Sequence, residues 1–577
     1  MLNVLSICLP ECGPDGCLRA FKSIERQGFV AAESFQWQGG SLRAWAHPSQ
    51  LATENCVVRT STGYACCVGP LWYRGRFGIV ALQVLFNEAG EGRDLDETEL
   101  RGNFALFIRN GRTCLFMNDA LGLVRLYASP DRRFHSTSWL ATCAYAGDVE
   151  LDEDAAAEYV LLGASHSDRT VARNITTLPL AHAFDLTRGR ARPRIAPTEW
   201  IGPSAPPTFE DAIDEADALL RGIFKEIASA FPGRVRAALS GGFDSRLIVA
   251  GLLACGERPE LFVYGGHKSE DVPIARAVAS GIGISIDIID KDAINAQLAP
   301  PDIECRVQSA LFFDGLPNDG IDDPGADQKT RLKSTAGGSL VPNGGGGEVL
   351  RNFFHLPDRG FHAIDIVRAF YRGFDRDVFR RSRGLPDYED RMVSSIESTF
   401  GIGGEHVRRR LSREQVELIY PLFRCHHWMG VNNSVAVRHG HYLTPLIDLN
   451  TVRLASRLPL SWKNAGRLES RLITQFHAAI ANQPSSYGFR FADGPDPSTR
   501  FKEWATCARP VFARPFINAT RRRLHRQPVA PDVLARGRSL LPGEWRMDPV
   551  LDLTRLPDNV AFARALAVEI ALRELVG

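Results

Sequence analysis

The spacing of apolar positions divides the chain into three stretches. Ahead of about residue 190 the signals are mostly strand-like. Phe77, Ile79, Val80, Ala81, Leu82, Val84, Leu85 and Phe86 form an apolar, partly alternating run, which predicts a strand. Asn103 to Arg109 leads into Asn110-Gly111, a strong hairpin pair, and Arg112 to Met117 makes the return strand. Together these predict a β-rich layered domain of about 200 residues. Pro193, Pro197, Pro203, Pro206 and Pro207 then fall close together with Gly202 and Ser204. Such a stretch resists helix and sheet and reads as a linker. Beyond it, Thr208 with Asp211 three residues on predicts a capped helix start. That helix carries Ile213, Ala216, Leu219, Leu220, Ile223 and Ile227 on one face.

After this helix, strands and helices alternate. Val235 to Leu239, Leu261 to Tyr264 and Ile284 to Ile289 predict strands. Asp244 to Cys255, ended by Gly256, and Asp271 to Ser280, ended by Gly281 and Gly283, predict helices. This rhythm implies a parallel sheet with helices on its faces. From about residue 360 the pattern is mostly helical, closing with a helix over 559–576. Arg521, Arg522, Arg523, His525 and Arg526 cluster there and read as a solvated helix face. The expected division is therefore 1–195, a proline-rich linker at 196–208, and 209–577.

Composition narrows the class. Of 577 residues, 44% are hydrophobic and 23% charged, the ordinary globular mix, which argues against a disordered or collagen-like chain. Lys and Arg total 68 against 67 Asp and Glu, so no basic excess marks a nucleic-acid partner. No run approaches the ~20 apolar residues of a membrane helix, and the first residues show no basic n-region or clear cleavage site. The twelve cysteines are spread out and lack paired CxxC motifs. Cys8, Cys12 and Cys17 cluster and Cys66-Cys67 are adjacent, yet the plain reading is reduced thiols in a cytoplasmic protein.

The strongest chemical signal is Leu239-Ser240-Gly241-Gly242-Phe243-Asp244-Ser245, set between a strand and a helix. Glycines let the backbone turn sharply and present N–H groups to an anion, and the helix N-terminus adds a positive dipole end. Ser240 and Ser245 can donate to phosphate oxygens. Asp244 would repel a bare phosphate, so it makes sense as a Mg²⁺ ligand beside one. The spacing is not that of a Gly-x4-Gly-Lys-Ser/Thr loop, so the motif suits gripping pyrophosphate.

This loop resembles the pyrophosphate loop of enzymes that cleave ATP between its α and β phosphates. Within them the chain resembles the asparagine synthetase family, with its β-lactam synthetase and lasso-peptide cyclase relatives. The resemblance runs discontinuously from about 77 to 490. It rests on Gly102 to Ala105, Asn118 to Gly122, Leu126-Tyr127, His135 to Ser138 and Ile175 to Pro179 in the first domain. In the second it rests on Gly265 to Ala279, Asn343 to Glu348 and His439 to Asp448. It implies an α/β two-domain fold: an N-terminal layered amidohydrolase-like (Ntn-type) α+β domain, then an adenine-nucleotide α-hydrolase-like parallel sheet with a helical extension. It implies ATP and Mg²⁺ as cofactors and amide formation through an acyl-adenylate, with Asp244, Glu348 and Arg467 as catalytic residues. Asp244 and Glu348 would hold the metal. Leu239, Ser240, Gly241, Gly242, Asp244, Ser245, Val263, Tyr264, Gly265, Gly345 and Gly346 would hold the nucleotide.

Three departures qualify it. Glutamine-using members begin with cysteine, whereas residues 1 to 3 here are Met, Leu and Asn; a glutaminase-dead first domain is expected, able still to bind a carrier peptide. The family places Asp before Glu where this chain has Gly347-Glu348. Arg467 stands where some relatives carry lysine, with Lys463 close by as a substitute; arginine stays charged and cannot shuttle a proton. His426, His427, His439 and His441 cluster without a zinc spacing and are expected to pack or hydrogen-bond, and the resemblance sets Tyr442 and Asp448 on the acceptor side of the cleft. The expected partners are a small-molecule or peptide carboxylate and an amine, with neither nucleic acid nor membrane. The competing readings are ordinary asparagine synthesis, a degenerate nucleotide-binding scaffold, and a tRNA-modifying enzyme with a similar loop.

Overall fold

The structure, a computed structural model, describes residues 1–61, 63–266, 268–298, 301–402, 409–517, 520 and 529–576. The basic cluster at 521–526 lies outside the described residues. No helix among the described residues is long and apolar enough to cross a membrane.

The fold is mixed α/β. The first lobe stacks helix, sheet, sheet and helix. One six-stranded antiparallel sheet runs, edge to edge, through Thr176–Thr177, Tyr127–Ala128, Phe134–Ser136, Val4–Cys8, Gly40–Ala46 and Val30–Trp37. The other runs through Arg190–Pro193, His182–Asp185, Thr113–Asn118, Ala105–Asn110, Tyr64–Val68 and Val57–Arg59. Period-2 alternation builds the layers. Leu5, Ile7, Tyr64, Cys66, Ala105 and Phe107 fill the space between the sheets. Val4 and Cys8 point the other way, toward the helices Pro14–Arg26 and Trp139–Ala146. Ala65, Cys67, Leu106 and Ile108 face the helix Gly78–Gly90. The hairpin forms where the sequence places it, pairing Asn110 with Thr113 around a left-handed Gly111.

The run from Phe77 to Phe86 corrects the strand expectation. Gly78–Gly90 is a helix. Ala81, Leu82, Leu85, Phe86 and Ala89 are buried while Ile79 and Val80 are exposed. Burial on the i, i+3, i+4 stripe selects the helix over the local β-propensity of Ile79, Val80 and Val84.

The proline-rich stretch is docked along the surface. Pro197–Trp200 forms one 3₁₀ turn, Trp200 is 1% exposed, and Gly202 N–H donates to Ser456 Oγ at 3.2 Å. Thr208 and Asp211 then form a reciprocal capping box for the helix Phe209–Ala230.

The second lobe holds a parallel sheet of Arg236–Ala238, Glu260–Tyr264 and Ile286–Ile289. A parallel bridge from Val235 to Leu340 extends it to the parallel pair Leu340–Pro342 and His441–Leu443. Helices Phe243–Ala254 and Asp271–Gly281 are the crossovers between its strands, and helical segments follow. Buried polar contacts join the lobes. Asp314 accepts from Ser138 Oγ at 2.6 Å and Trp139 N–H at 2.7 Å, capping a first-lobe helix, and pairs with Arg438 at 3.1 Å. Arg125 donates to the carbonyls of His426 and His427.

Candidate active site

The strand Arg236–Ala238 ends at the glycine turn, and the helix Phe243–Ala254 starts from Gly242. The turn is held from inside: Ser245 Oγ accepts from Ser240 N–H at 3.0 Å, and Ser240 Oγ accepts from Gly242 N–H at 3.2 Å. Gly241 N–H donates to Asp271 Oδ1 at 2.8 Å, and its carbonyl accepts from Ser486 N–H at 3.1 Å. A Cβ at Gly241 would come within 2.8 Å of Ser486 Cβ, so glycine is needed for this approach. A carboxylate thus already lies on a loop amide, the polarity an anion site requires.

Asp244, in the first helical turn, faces the second glycine loop. Arg351 Nη2 donates to both of its carboxylate oxygens, at 3.0 and 2.8 Å. The same guanidinium lies 3.6 Å from Glu348 and, through Nε, 3.1 Å from Glu469. Glu348 accepts from Gly346 N–H at 3.2 Å and from the Tyr420 hydroxyl. Three carboxylates therefore converge on one arginine.

Burial sets the protonation of the group. It pushes Asp244 up to about 6, held back by Arg351 and added to by the charge of Glu348. Glu469 is 0% exposed, and burial raises its carboxyl well above the ordinary range, against the pull of Arg351. Burial opposes the charge of Arg351, but Glu469, Asp244 and Glu348 outweigh it and raise its pKa. Burial keeps Tyr420 protonated, as a donor to Glu348.

Gly347 explains why this loop lacks a second acid. A Cβ there would lie 2.1 Å from Asp244 Oδ1, an impossible contact. Gly344 packs on Asp244 Cβ, and Gly346 has φ +92 with its Cβ position filled by Ile447. The loop's glycines let it lie directly against Asp244.

The other predicted residues are placed as follows. Leu239 is buried beneath the turn, and Val263 is buried in the sheet. Tyr264 is 39% exposed at the end of its strand, with Lys291 Nζ 4.2 Å from its ring centre. Gly265 has φ +141 and bonds to Ile289. Gly345 N–H donates to Asn343. Arg467 is exposed, its guanidinium 4.2 Å from the centre of the Phe209 ring, and lines a cavity of about 800 Å³ whose lining includes neither Asp244 nor Glu348. Lys463 is buried and paired with Glu417. Asp448 caps the helix Leu449–Arg457 and pairs with Arg101 at 3.1 Å. Tyr442 accepts from Asn432 at 3.4 Å. The histidines separate: His426 and His427 sit in the helical turn Tyr420–Met429, while His439 stacks on Phe312 at 3.9 Å. Burial lowers all four pKa values, leaving neutral rings.

Sequence reasoning missed Arg351, Glu469, Tyr420 and Arg246. Arg246 is fully buried and donates to the carbonyls of Ser240, Gln483 and Pro484, tying the turn to the segment over it. Tyr487, from that segment, lies 4.4 Å from Phe243 and accepts from Arg351 at 3.3 Å. A crevice of about 10 Å³ is lined by Glu348, Arg351, Tyr420 and Lys463. A cavity of about 400 Å³ lined by His166, Asp168, Arg391 and His427 involves neither Asp244 nor Glu348.

No protein-family model matches the chain, and no curated protein does. Among solved structures, glutamine phosphoribosylpyrophosphate (PRPP) amidotransferase from B. subtilis, complexed with ADP and GMP, overlaps 52% of this chain and 92% of its own. The identity is 11% and the TM-score 0.21. An overlap of that quality carries no functional assignment.

Proposed function

We propose that the chain is an ATP-dependent, AMP-forming amide ligase, built from an Ntn-type first lobe without glutaminase activity and a pyrophosphate-loop second lobe. A substrate carboxylate attacks the α-phosphate, giving an acyl-adenylate and pyrophosphate. An amine then displaces AMP, and holding it on the enzyme gains from proximity. The observation that carries this reading is the convergence of Asp244 and Glu348, from two separate glycine-rich loops, on one point beside a helix N-terminus.

Their oxygen donors fit Mg²⁺, and Asp244 and Glu348 would hold it, the ion neutralising phosphate charge. Ser240, Ser245 and the Gly242 N–H grip the leaving pyrophosphate. Arg351, now between the carboxylates, turns its fork to phosphate oxygens when the carboxylates are taken up. Glu469 and Tyr420 steady Arg351 and Glu348. Tyr264 offers an open ring to the adenine. The segment around Tyr487 must lift to admit the nucleotide.

One observation favours a second reading, a nucleotide-binding scaffold without turnover: Arg351 already supplies the positive charge that a metal would bring. Calorimetric titration of Mg-ATP into wild type and Asp244→Asn tests the shared premise. Binding that is weakened at least tenfold in the variant supports a site at Asp244. Equal binding by both proteins refutes it.

A further inference from the structure

A second cluster lies in the first lobe, unused by the reaction above. Cys8 ends the strand Val4–Cys8, Cys12 leaves the turn after it, and Cys17 follows in the first turns of the helix Pro14–Arg26. All three sulfurs lie within 4.8 Å of one another, and Cys8 Sγ is 3.2 Å from Cys17 Sγ. All twelve cysteines are free thiols.

The backbone is arranged to close this group. Cys12 N–H donates to Leu9 O at 3.1 Å, folding the chain back on the strand. Glu11 completes the turn with φ +67, a costly conformation for a side chain of its kind. Arg133 holds that turn from outside, through Glu11 at 2.7 Å and through the Leu9 N–H at 2.8 Å. Non-glycine residues in this region persist where the surroundings over-determine them, often at functional sites.

We propose that Cys8, Cys12 and Cys17 form a three-thiolate site for a thiophilic divalent metal ion of the zinc class. Zn–S bonds of ~2.3 Å in trigonal array set sulfurs about 4 Å apart, within the spacing here. Sulfur selects soft or borderline ions over Mg²⁺ or Ca²⁺. Cys12 and Cys17 flank the positive end of a helix, and both are partly open to solvent, which provides an entry path. Three protein ligands leave a fourth position for water or an added thiol. A bound divalent ion forms three metal–sulfur bonds, and the thiol protons it displaces pass to solvent. The site is independent of the ligase reading.

The test uses the full chain, reduced and stripped of metal, titrated with Cd²⁺ while sulfur-to-metal charge-transfer absorption is followed. Zn²⁺ is then competed against a chromogenic chelator. The expected result is one ion per chain. Cys12→Ser and Cys17→Ser, both at partly exposed positions, should each lower affinity at least 100-fold and remove about a third of the absorption. Cys305→Ser should change neither. The proposal fails if reduced protein takes up no Cd²⁺, or if Cys12→Ser binds as tightly as wild type. It fails also if Cys305→Ser weakens binding as much as Cys12→Ser does.

Discussion

Replacing Gly347 by alanine adds one methyl group at the point where the two loops touch. That carbon would sit 2.1 Å from Asp244 Oδ1, 2.8 Å from its Cγ and 2.9 Å from Leu446 Cδ1. Ordinary contact begins at ~3.5 Å, so Asp244 or the loop must shift by about 1.4 Å. Overpacking of this kind costs about 1–3 kcal/mol. The shift also pulls Asp244 off Arg351, whose two hydrogen bonds leave no slack at 2.8 and 3.0 Å. A displacement of about 1 Å in a reacting constellation lowers rates about 100-fold. Gly347→Ala should therefore lose about 1–3 kcal/mol in denaturant unfolding and about 100-fold in AMP formation. Gly347→Asp, which restores the acid expected from the family resemblance, should be worse, because its carboxylate adds like charge beside Asp244. Wild-type stability and turnover in Gly347→Ala would refute the packing argument.

Arg351→Gln should destabilise the fold by about 3–5 kcal/mol, because it leaves Asp244 and Glu348 without their buried partner; Arg351→Lys should recover only part, lacking the fork. Urea unfolding distinguishes them. Mg-ATP affinity should fall about tenfold per pH unit below about pH 6, because a proton on Asp244 competes with the cation. Asp244 is ionised above that pH and protonated below it, so Asp244→Asn should show a flat profile by calorimetry. The same raised pKa means that the folded state holds this proton more tightly than the unfolded chain does. The group therefore favours folding at acid pH, and that contribution is lost as pH rises through about 6. Tyr264→Ala should weaken ATP binding by about 1–3 kcal/mol, the usual worth of a base–aromatic stack, while Tyr264→Phe should not; equal losses would point to the hydroxyl instead.

Much of the second lobe's first half was legible. The strand from 235, the glycine turn, the helix to 254 and the capping box at Thr208 each follow from local chemistry: turn residues, caps and apolar runs. The helix at 78–90 was not, because its β-branched residues favour a strand until tertiary burial selects Leu82, Leu85, Phe86 and Ala89. The acidic group was half legible. Asp244 and Glu348 sit in glycine-rich loops, which mark themselves. Arg351 lies three residues past Glu348 in a 3₁₀ turn, a spacing with no composition signal. Arg467 and Glu469 are two residues apart on one helix, so they point about 160° apart, and only Glu469 reaches Arg351. Lys463 looked free in sequence, and only the fold reveals Glu417 against it.

The most direct measurement is phosphorus NMR of Mg-ATP incubated with the purified chain and a pool of cell-extract metabolites, with Asp244→Ala alongside. The account predicts AMP and pyrophosphate from wild type and neither from the variant. ADP with phosphate would contradict cleavage between the α and β phosphates. AMP and pyrophosphate formed equally by both proteins would contradict the role given to Asp244.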